Sequence, residues 1–171
     1  MERKQLLISL NKEIELINKV GKTLLSNGYH SENSYIITVS TDYSSIVGQI
    51  LRHQLTFNGE ICDGFGIDVP YPDQQWDDKF QQELLDTLRI HISNFKTKTP
   101  ILVEAGVIRG SNYAHVVDTI RKYFGMDKKI ITMALYENIH SKWKSDFVGE
   151  YYDDNLEDLT FWWEKDNNHW K

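Results

Sequence analysis

Two kinds of apolar pattern alternate along the chain. In the first, apolar residues recur every three or four positions, which predicts amphipathic helices that bury one face. These segments are 5–25, 46–55, 79–95 and 113–124. In the second, short runs are apolar throughout and rich in β-branched residues, which predicts strands buried on both faces. These segments are 35–40, 101–103 and 129–135, and 159–163 is a candidate edge strand.

Buried strands that alternate with amphipathic helices are typical of the α/β class, with a mainly parallel sheet flanked by helices. Residues 58–78, rich in Gly, Pro and Asp, are expected to form a loop or two short strands. The 171 residues suit a single domain over 1–171. Within it we expect an N-terminal helix inside 1–28 and a small C-terminal hood or tail over 145–171.

Charge and cysteine content restrict the function further. The net charge of −6 argues against general nucleic-acid binding but still allows a small anionic ligand. The single cysteine, Cys62, excludes an intrachain disulfide. The first ten residues lack the long apolar run of a signal peptide, and no segment approaches the length of a membrane span. We therefore expect a cytoplasmic protein that does not associate with membranes.

The segment ILVEAGVIRGSNY, which begins at Ile101, contains the strongest chemical signal. The first backbone N–H groups of a helix are unpaired and suit a phosphate. Gly110 allows close approach of the backbone, while Ser111 and Asn112 add side-chain donors. Arg109 offers a planar guanidinium to a phosphate, and Glu104 could accept hydrogen bonds from sugar hydroxyls. The alternative is an ordinary strand–helix turn, in which Ser and Asn only cap the helix.

This segment resembles the phosphoribosyl-pyrophosphate motif of the type I phosphoribosyltransferases. That motif consists of an apolar strand, two acids, an apolar pair and a Thr/Gly-rich phosphate loop. Without a gap, Glu104 matches the first acid and Gly110 the loop glycine. The resemblance implies that Glu104 is the catalytic-site acid that contacts the ribose hydroxyls. It also implies that Arg109, Gly110, Ser111 and Asn112 hold the 5′-phosphate.

An earlier segment has the layout of the pyrophosphate loop of the same family. The letters YIITVS, TDYSS and IVGQIL form a predicted strand, a short loop and a predicted helix. The resemblance implies that pyrophosphate is bound by Thr41, Asp42, Tyr43 and Ser44. Mg²⁺ would arrive with that pyrophosphate, because Mg²⁺ keeps its waters and is held largely by substrate phosphates. Taken alone, the loop is more simply explained by side chains that bond local backbone donors.

The C-terminal part resembles the ending of the xanthine and hypoxanthine-guanine branch of the family. The letters KIITMALY, KSDFVGEYYDD and LTFWWE occur in the order expected for that branch. The resemblance implies a hood that covers the base and includes Tyr136, Trp162 and Trp163. The tail tryptophans could equally be packing residues. The resemblance also implies a homodimer, since oligomers are common in this family.

Several positions depart from the family pattern. Ala105 replaces the second acid, Gly106 replaces an apolar residue and Arg109 replaces a Thr. The pyrophosphate loop lacks the usual glycine pair. A pair between Glu104 and Arg109 would block the site, so the position of Arg109 matters to each interpretation.

Three functions remain open on the sequence. The first is a transferase that moves a sugar phosphate between pyrophosphate and a nucleobase. The second is a protein that binds a nucleotide or another partner without turnover. The third is an enzyme with altered chemistry on a nucleoside monophosphate or a modified sugar.

A metal site built by the protein itself is not expected from the sequence. The six histidines are scattered, and no pair has a metal-ligand spacing with a third partner nearby. The acidic run that contains Asp153 and Asp154 is interpreted as a solvated face. Cys62 has no base beside it in sequence, which argues against a catalytic thiol.

Overall fold

The computed structural model describes residues 3–39, 44–69, 76–91 and 96–162. The described helices are α1 (Leu10–Ser26), α2 (Ser44–Gln54), α3 (Asp78–Ile90) and α4 (Ser111–Phe124). The strands are β1 (Lys4–Ile8), β2 (Ser34–Val39), β3 (Gly64–Ile67), β4 (Thr99–Val107), β5 (Ile131–Asn138), β6 (Phe147–Tyr152) and β7 (Glu157–Phe161). The main sheet has five strands, all parallel, in the order β3-β2-β4-β5-β6.

Helices cover both faces of this sheet. One core cluster joins the sheet to α1 and α2 through residues such as Ile17 and Leu51. The other joins it to α3 and α4 through residues such as Leu88 and Val116. The predicted α/β class with a mainly parallel sheet is therefore confirmed. Among the helices that the structure describes, none is both long and apolar enough to cross a membrane.

The N-terminal segment differs from the sequence prediction of one helix over 5–25. Lys4–Ile8 forms β1, which pairs in parallel with β7 as a separate two-stranded sheet. The helix begins only after Ser9, whose Oγ accepts a hydrogen bond from the N–H of Lys12 at 3.2 Å. Sequence periodicity missed this strand because its partner lies about 150 residues away in the chain.

Other boundaries shift in ways that affect the site. Strand β4 continues to Val107, past the predicted end at Val103, because it pairs with β5 as far as Glu137. The connection between β4 and α4 is therefore shorter than the predicted loop over 104–112. Strand β5 likewise continues to Asn138, beyond the predicted end at Leu135. Helix α3 ends at Ile90, whereas the prediction continued to residue 95, and residues 92–95 lie outside the described ranges.

One buried hydrogen bond connects the beginning of the fold to its end. The indole Nε1 of Trp162, directly after β7, donates to Oε2 of Glu13 in α1 at 2.6 Å. Glu13 is completely buried, and this burial raises the pKa of its carboxyl to about 7, against the lowering effect of the Trp162 bond. The carboxyl of Glu13 is therefore mostly neutral at about pH 5 and mostly charged at about pH 8.

We predict that Trp162→Phe destabilises the protein more at about pH 8 than at about pH 5. The lost N–H donor leaves a buried carboxylate unsatisfied at the higher pH, at a cost of about 1–3 kcal/mol. Chemical denaturation at both pH values measures the difference. Tyr151→Phe, at an exposed ring of β6, is the control. An equal loss at both pH values would contradict this account of the bond.

Candidate functional site

A cavity of about 710 Å³ opens at the carboxyl edge of the main sheet. Three connections surround it, namely the one between β4 and α4, the one between β5 and β6, and the one between β6 and β7. The described residues that line it are Ile108, Arg109, Gly110, Ser111, Ala114, Asn138, His140, Lys142, Trp143, Asp154 and Asn155. This edge is where ligands bind in parallel α/β sheets.

Helix α4 begins at the cavity without a side-chain cap. Gly110 precedes it with φ 76° and ψ 11°, a left-handed conformation. A Cβ added at Gly110 would lie 2.2 Å from Cβ of Trp143, so a side chain does not fit there. Helices α1 and α3, by contrast, are capped by the side chains of Ser9 and Asp77. The first N–H groups of α4 consequently have no side-chain cap within the described chain, and they suit an anion.

Positive charge lies beside this helix start. Arg109 and Lys142 line the cavity, and both are exposed. Neither forms an ion pair with a residue in the described ranges. The pairing of Glu104 with Arg109 that would block the site is therefore not formed. Two cations with no carboxylate partner in the described chain, next to helix N–H groups that no described side chain caps, favour a phosphate.

A buried amide holds the three connections together. Asn138, the last residue of β5, is only 2% exposed. Its Nδ2 donates to the carbonyl oxygen of Ile108 at 3.1 Å. Its Oδ1 accepts from the N–H of His140 at 3.1 Å and from the N–H of Asp154 at 3.5 Å. One side chain thus fixes the backbone on three sides of the cavity.

Trp143 forms a fixed part of the cavity wall. Its Nε1 donates to Oγ1 of the buried Thr132 at 3.3 Å. Its ring lies 6.1 Å from the ring of Tyr113, centroid to centroid, at an interplanar angle of 51°. An indole held in this way can contact a ligand without first being ordered, which lowers the entropy cost of binding.

Glu104 occupies a different environment from the one that the resemblance implies. It is 9% exposed and is not one of the described residues that line the cavity. Nδ2 of Asn112 donates to its Oε1 at 3.4 Å. Burial raises the pKa of its carboxyl to about 8, while the Asn112 bond acts in the opposite direction. At neutral pH this carboxyl is therefore mostly protonated and can donate a hydrogen bond.

The structure brings together part of the predicted phosphate loop. Arg109, Gly110 and Ser111 line the cavity, whereas the amide of Asn112 points to Glu104. Ala105, at the position of the second acid, is 4% exposed and packs in the core beside α1 and α2.

The predicted pyrophosphate loop is described only at its last residue. Ser44 is buried, and its Oγ accepts from the N–H of Ala105 at 3.2 Å. Thr41, Asp42 and Tyr43 lie outside the described residues.

Two of the predicted hood residues, Tyr136 and Trp162, lie on the side of α1. Tyr136 is 1% exposed, and its ring lies 5.9 Å from that of Phe161. Trp162 bonds to Glu13, and Trp163 lies outside the described ranges. Neither Tyr136 nor Trp162 is among the described residues that line the cavity.

The sequence analysis did not single out the cavity wall that is formed after β5 and adjoins the start of α4. Asn138 ends β5, and His140, Lys142 and Trp143 follow it in the letters NIHSKW. The hood that the resemblance implies, from Tyr136 to Trp163, includes this segment, but none of these four residues was named as a site residue. A polar cluster after a buried strand was the available signal.

The five-stranded parallel sheet, the helices on both of its faces and the helix start without a side-chain cap at its carboxyl edge together define the fold class of this chain. The chain has the type I phosphoribosyltransferase fold. It is similar to the xanthine-guanine-hypoxanthine phosphoribosyltransferase of Helicobacter pylori, with 15% identity and a TM-score of 0.68 over 96% of this chain and 95% of that one. It is also similar to a purine phosphoribosyltransferase of Pyrococcus horikoshii, with 15% identity and a TM-score of 0.64 over 93% of each chain.

A third similar structure is a hypothetical protein of Neisseria gonorrhoeae with bound ppGpp. The identity is 13% and the TM-score 0.68, over 98% of this chain and 93% of that one. No family model and no curated protein matches the sequence. At these identities the likeness establishes the fold, and the chemistry has to be argued from the site.

We predict that Glu104→Gln flattens the dependence of stability on pH. The folded protein keeps a proton that the unfolded chain loses near the ordinary carboxyl pKa of 4.5. The stabilisation that this proton gives to the folded protein is complete below about pH 4.5 and is lost as the pH rises toward 8. Through Glu104 alone, the wild-type free energy of unfolding should fall by up to about 4 kcal/mol between about pH 5 and 8, since each pH unit contributes about 1.4 kcal/mol. Glu13, with a carboxyl pKa of about 7, adds a fall that the variant shares.

Urea denaturation across this pH range measures the effect, with Glu60→Gln at an exposed carboxyl as the control. The control variant should follow the wild-type profile. A Glu104→Gln profile as steep as that of the wild type would show that Glu104 does not hold the proton.

Proposed function

We propose that the protein binds a ribose 5′-phosphate compound in the cavity and transfers its phosphoribosyl group between pyrophosphate and a purine base. The observation that carries this proposal is the uncapped start of α4 at the cavity, beside Arg109. A phosphate there would accept hydrogen bonds from the N–H groups of Ser111, Asn112 and Tyr113. The guanidinium of Arg109 would add a charge-assisted bond.

The remainder of the cavity has room for the sugar and the base. Ligand pockets commonly measure about 300–1,000 Å³, and this cavity falls within that range. Trp143 offers an aromatic surface whose position is fixed by Thr132 and Tyr113. Two of the similar structures are purine or xanthine-guanine-hypoxanthine phosphoribosyltransferases, which supports a purine as the base.

In the transfer, the bond between C1 of the ribose and the pyrophosphate oxygen breaks, and a bond from C1 to a base nitrogen forms. The substrate would be the magnesium complex of phosphoribosyl pyrophosphate, with Mg²⁺ held mainly by the substrate's own oxygens. The residues of this chain would contribute chiefly by positioning the sugar and stabilising anionic groups. Glu104 would position the side chain of Asn112 behind the helix start, through the hydrogen bond between the two residues.

A second candidate is a protein that binds a purine nucleotide without turnover. Ala105 packs in the core where the family has a second acid, and Glu104 is covered and mostly protonated. The resemblance assigns Glu104 to the ribose hydroxyls, so its burial and the missing acid at position 105 both favour binding without turnover. The similar structure with bound ppGpp supports a guanine nucleotide as the ligand in that case.

Calorimetric titration and a turnover assay separate the two candidates. The ligands are phosphoribosyl pyrophosphate with Mg²⁺, GMP and ppGpp, and the assay follows GMP formation from guanine. Binding of phosphoribosyl pyrophosphate together with turnover supports the transferase. Binding of GMP or ppGpp without turnover supports the second candidate. Failure of all three ligands to bind would refute both.

We predict that Arg109→Ala weakens the binding of GMP by about 10- to 100-fold, because one charge-assisted hydrogen bond contributes about 1.5–3 kcal/mol. The effect should be smaller for guanosine, which lacks the phosphate. Lys79→Ala, at a well-exposed cation on α3, is the control. Equal losses for GMP and guanosine would show that Arg109 does not contact the phosphate.

A further inference from the structure

Three side chains with metal-binding atoms meet at the part of the cavity wall that is formed by the connections after β5 and β6. His140 follows β5, and Asp153 and Asp154 follow β6. One ligand atom from each lies within 4.8 Å of the other two. Nε2 of His140 is 3.1 Å from Oδ1 of Asp153. His140 and Asp154 also line the cavity.

These separations are close to those of a coordination shell. A transition ion binds imidazole nitrogen and carboxylate oxygen at about 2.0–2.2 Å, so two ligand atoms of a tetrahedral shell lie about 3.4 Å apart. Nε2 of His140 and Oδ1 of Asp153 already lie 3.1 Å apart, and separations as long as 4.8 Å would have to shorten by about 1.4 Å. The His140 side chain, about half exposed at 51%, has the freedom to make this change.

The backbone beneath the cluster is fixed. Oδ1 of the buried Asn138 accepts from the N–H groups of both His140 and Asp154. The N–H of Asn155 donates to Oδ1 of Asp153 at 2.9 Å. The two connections that carry the three ligands are therefore held at a set separation, which reduces the ordering cost of binding an ion.

The carboxylate of Asp154 helps to raise the pKa of Arg3 electrostatically. It accepts no hydrogen bond and makes no ion pair within the described part of the chain, although Asp153 does both. Two carboxylates this close repel each other, and a cation between them would relieve that repulsion.

We propose that His140, Asp153 and Asp154 bind one divalent transition-metal ion of the Zn²⁺ or Mn²⁺ class. An imidazole nitrogen with two carboxylate oxygens suits these ions better than Mg²⁺, which prefers oxygen ligands throughout. The site is separate from any Mg²⁺ that a pyrophosphate substrate carries. Because His140 and Asp154 line the cavity, an ion held by them would be accessible from it. An oxygen of a cavity ligand could then bind the ion, a step that rests on the proposed function.

The test uses the metal alone, without any nucleotide. The tag-free, metal-stripped chain is titrated with Zn²⁺ by calorimetry and with Co²⁺ by visible absorption, which reports an imidazole–carboxylate shell. We expect one ion per chain in the wild type. Asp154→Asn and His140→Ala should each weaken binding by at least about tenfold, because one ligand of three is lost.

Glu150→Gln is the matched control, because Glu150 lies in the same acidic tail but pairs with Lys12 at 3.2 Å. It should bind the ion as the wild type does. Asp154→Asn is the decisive variant, since the Asp154 carboxylate has no bond in the described fold to lose. Absence of a bound ion in the wild type, or equal affinity in Asp154→Asn and Glu150→Gln, would overturn the proposal. Neither result depends on nucleotide binding, so failure here is distinguishable from failure of the proposed function.

Discussion

The candidate site depends on the hydrogen bonds of one buried amide at the end of β5. Asn138 uses both ends of its side chain, which donates to Ile108 and accepts from His140 and Asp154. At 2% exposure, water cannot replace these bonds, and each unsatisfied group would cost about 1–3 kcal/mol. Strand β5 is paired on both sides up to this end, so the amide is anchored on rigid structure. The three connections around the cavity are therefore all held in place by hydrogen bonds to the same side chain.

The cavity carries charges of both signs. The wall formed by the start of α4, with Arg109, presents hydrogen-bond donors and positive charge. The wall formed by the connections after β5 and β6 presents Lys142, His140 and the Asp154 carboxylate, with Asp153 next to them. A ligand that carries a phosphate and can also coordinate a divalent ion matches both walls. The two proposals thus describe complementary halves of one cavity, although each is tested alone.

The sequence predicted the architecture better than it predicted the site. Periodicity placed the helices and central strands because each amphipathic face is encoded locally. Residues 5–8 were assigned to a helix because nothing local indicates their pairing with β7. The burial of Glu104 was equally hidden, since it depends on the packing of α4 and the orientation of Asn112. His140 and Asp153 are thirteen positions apart, and only the pairing of β5 with β6 makes them neighbours.

A crystal structure of the protein with bound GMP would show whether the start of α4 binds the phosphate. We expect a phosphate at the start of α4, with its oxygens about 3 Å from the N–H groups of Ser111 to Tyr113 and from the guanidinium of Arg109. The purine would lie in the same cavity, toward Trp143. A phosphate bound elsewhere, with the start of α4 left to solvent, would contradict the account.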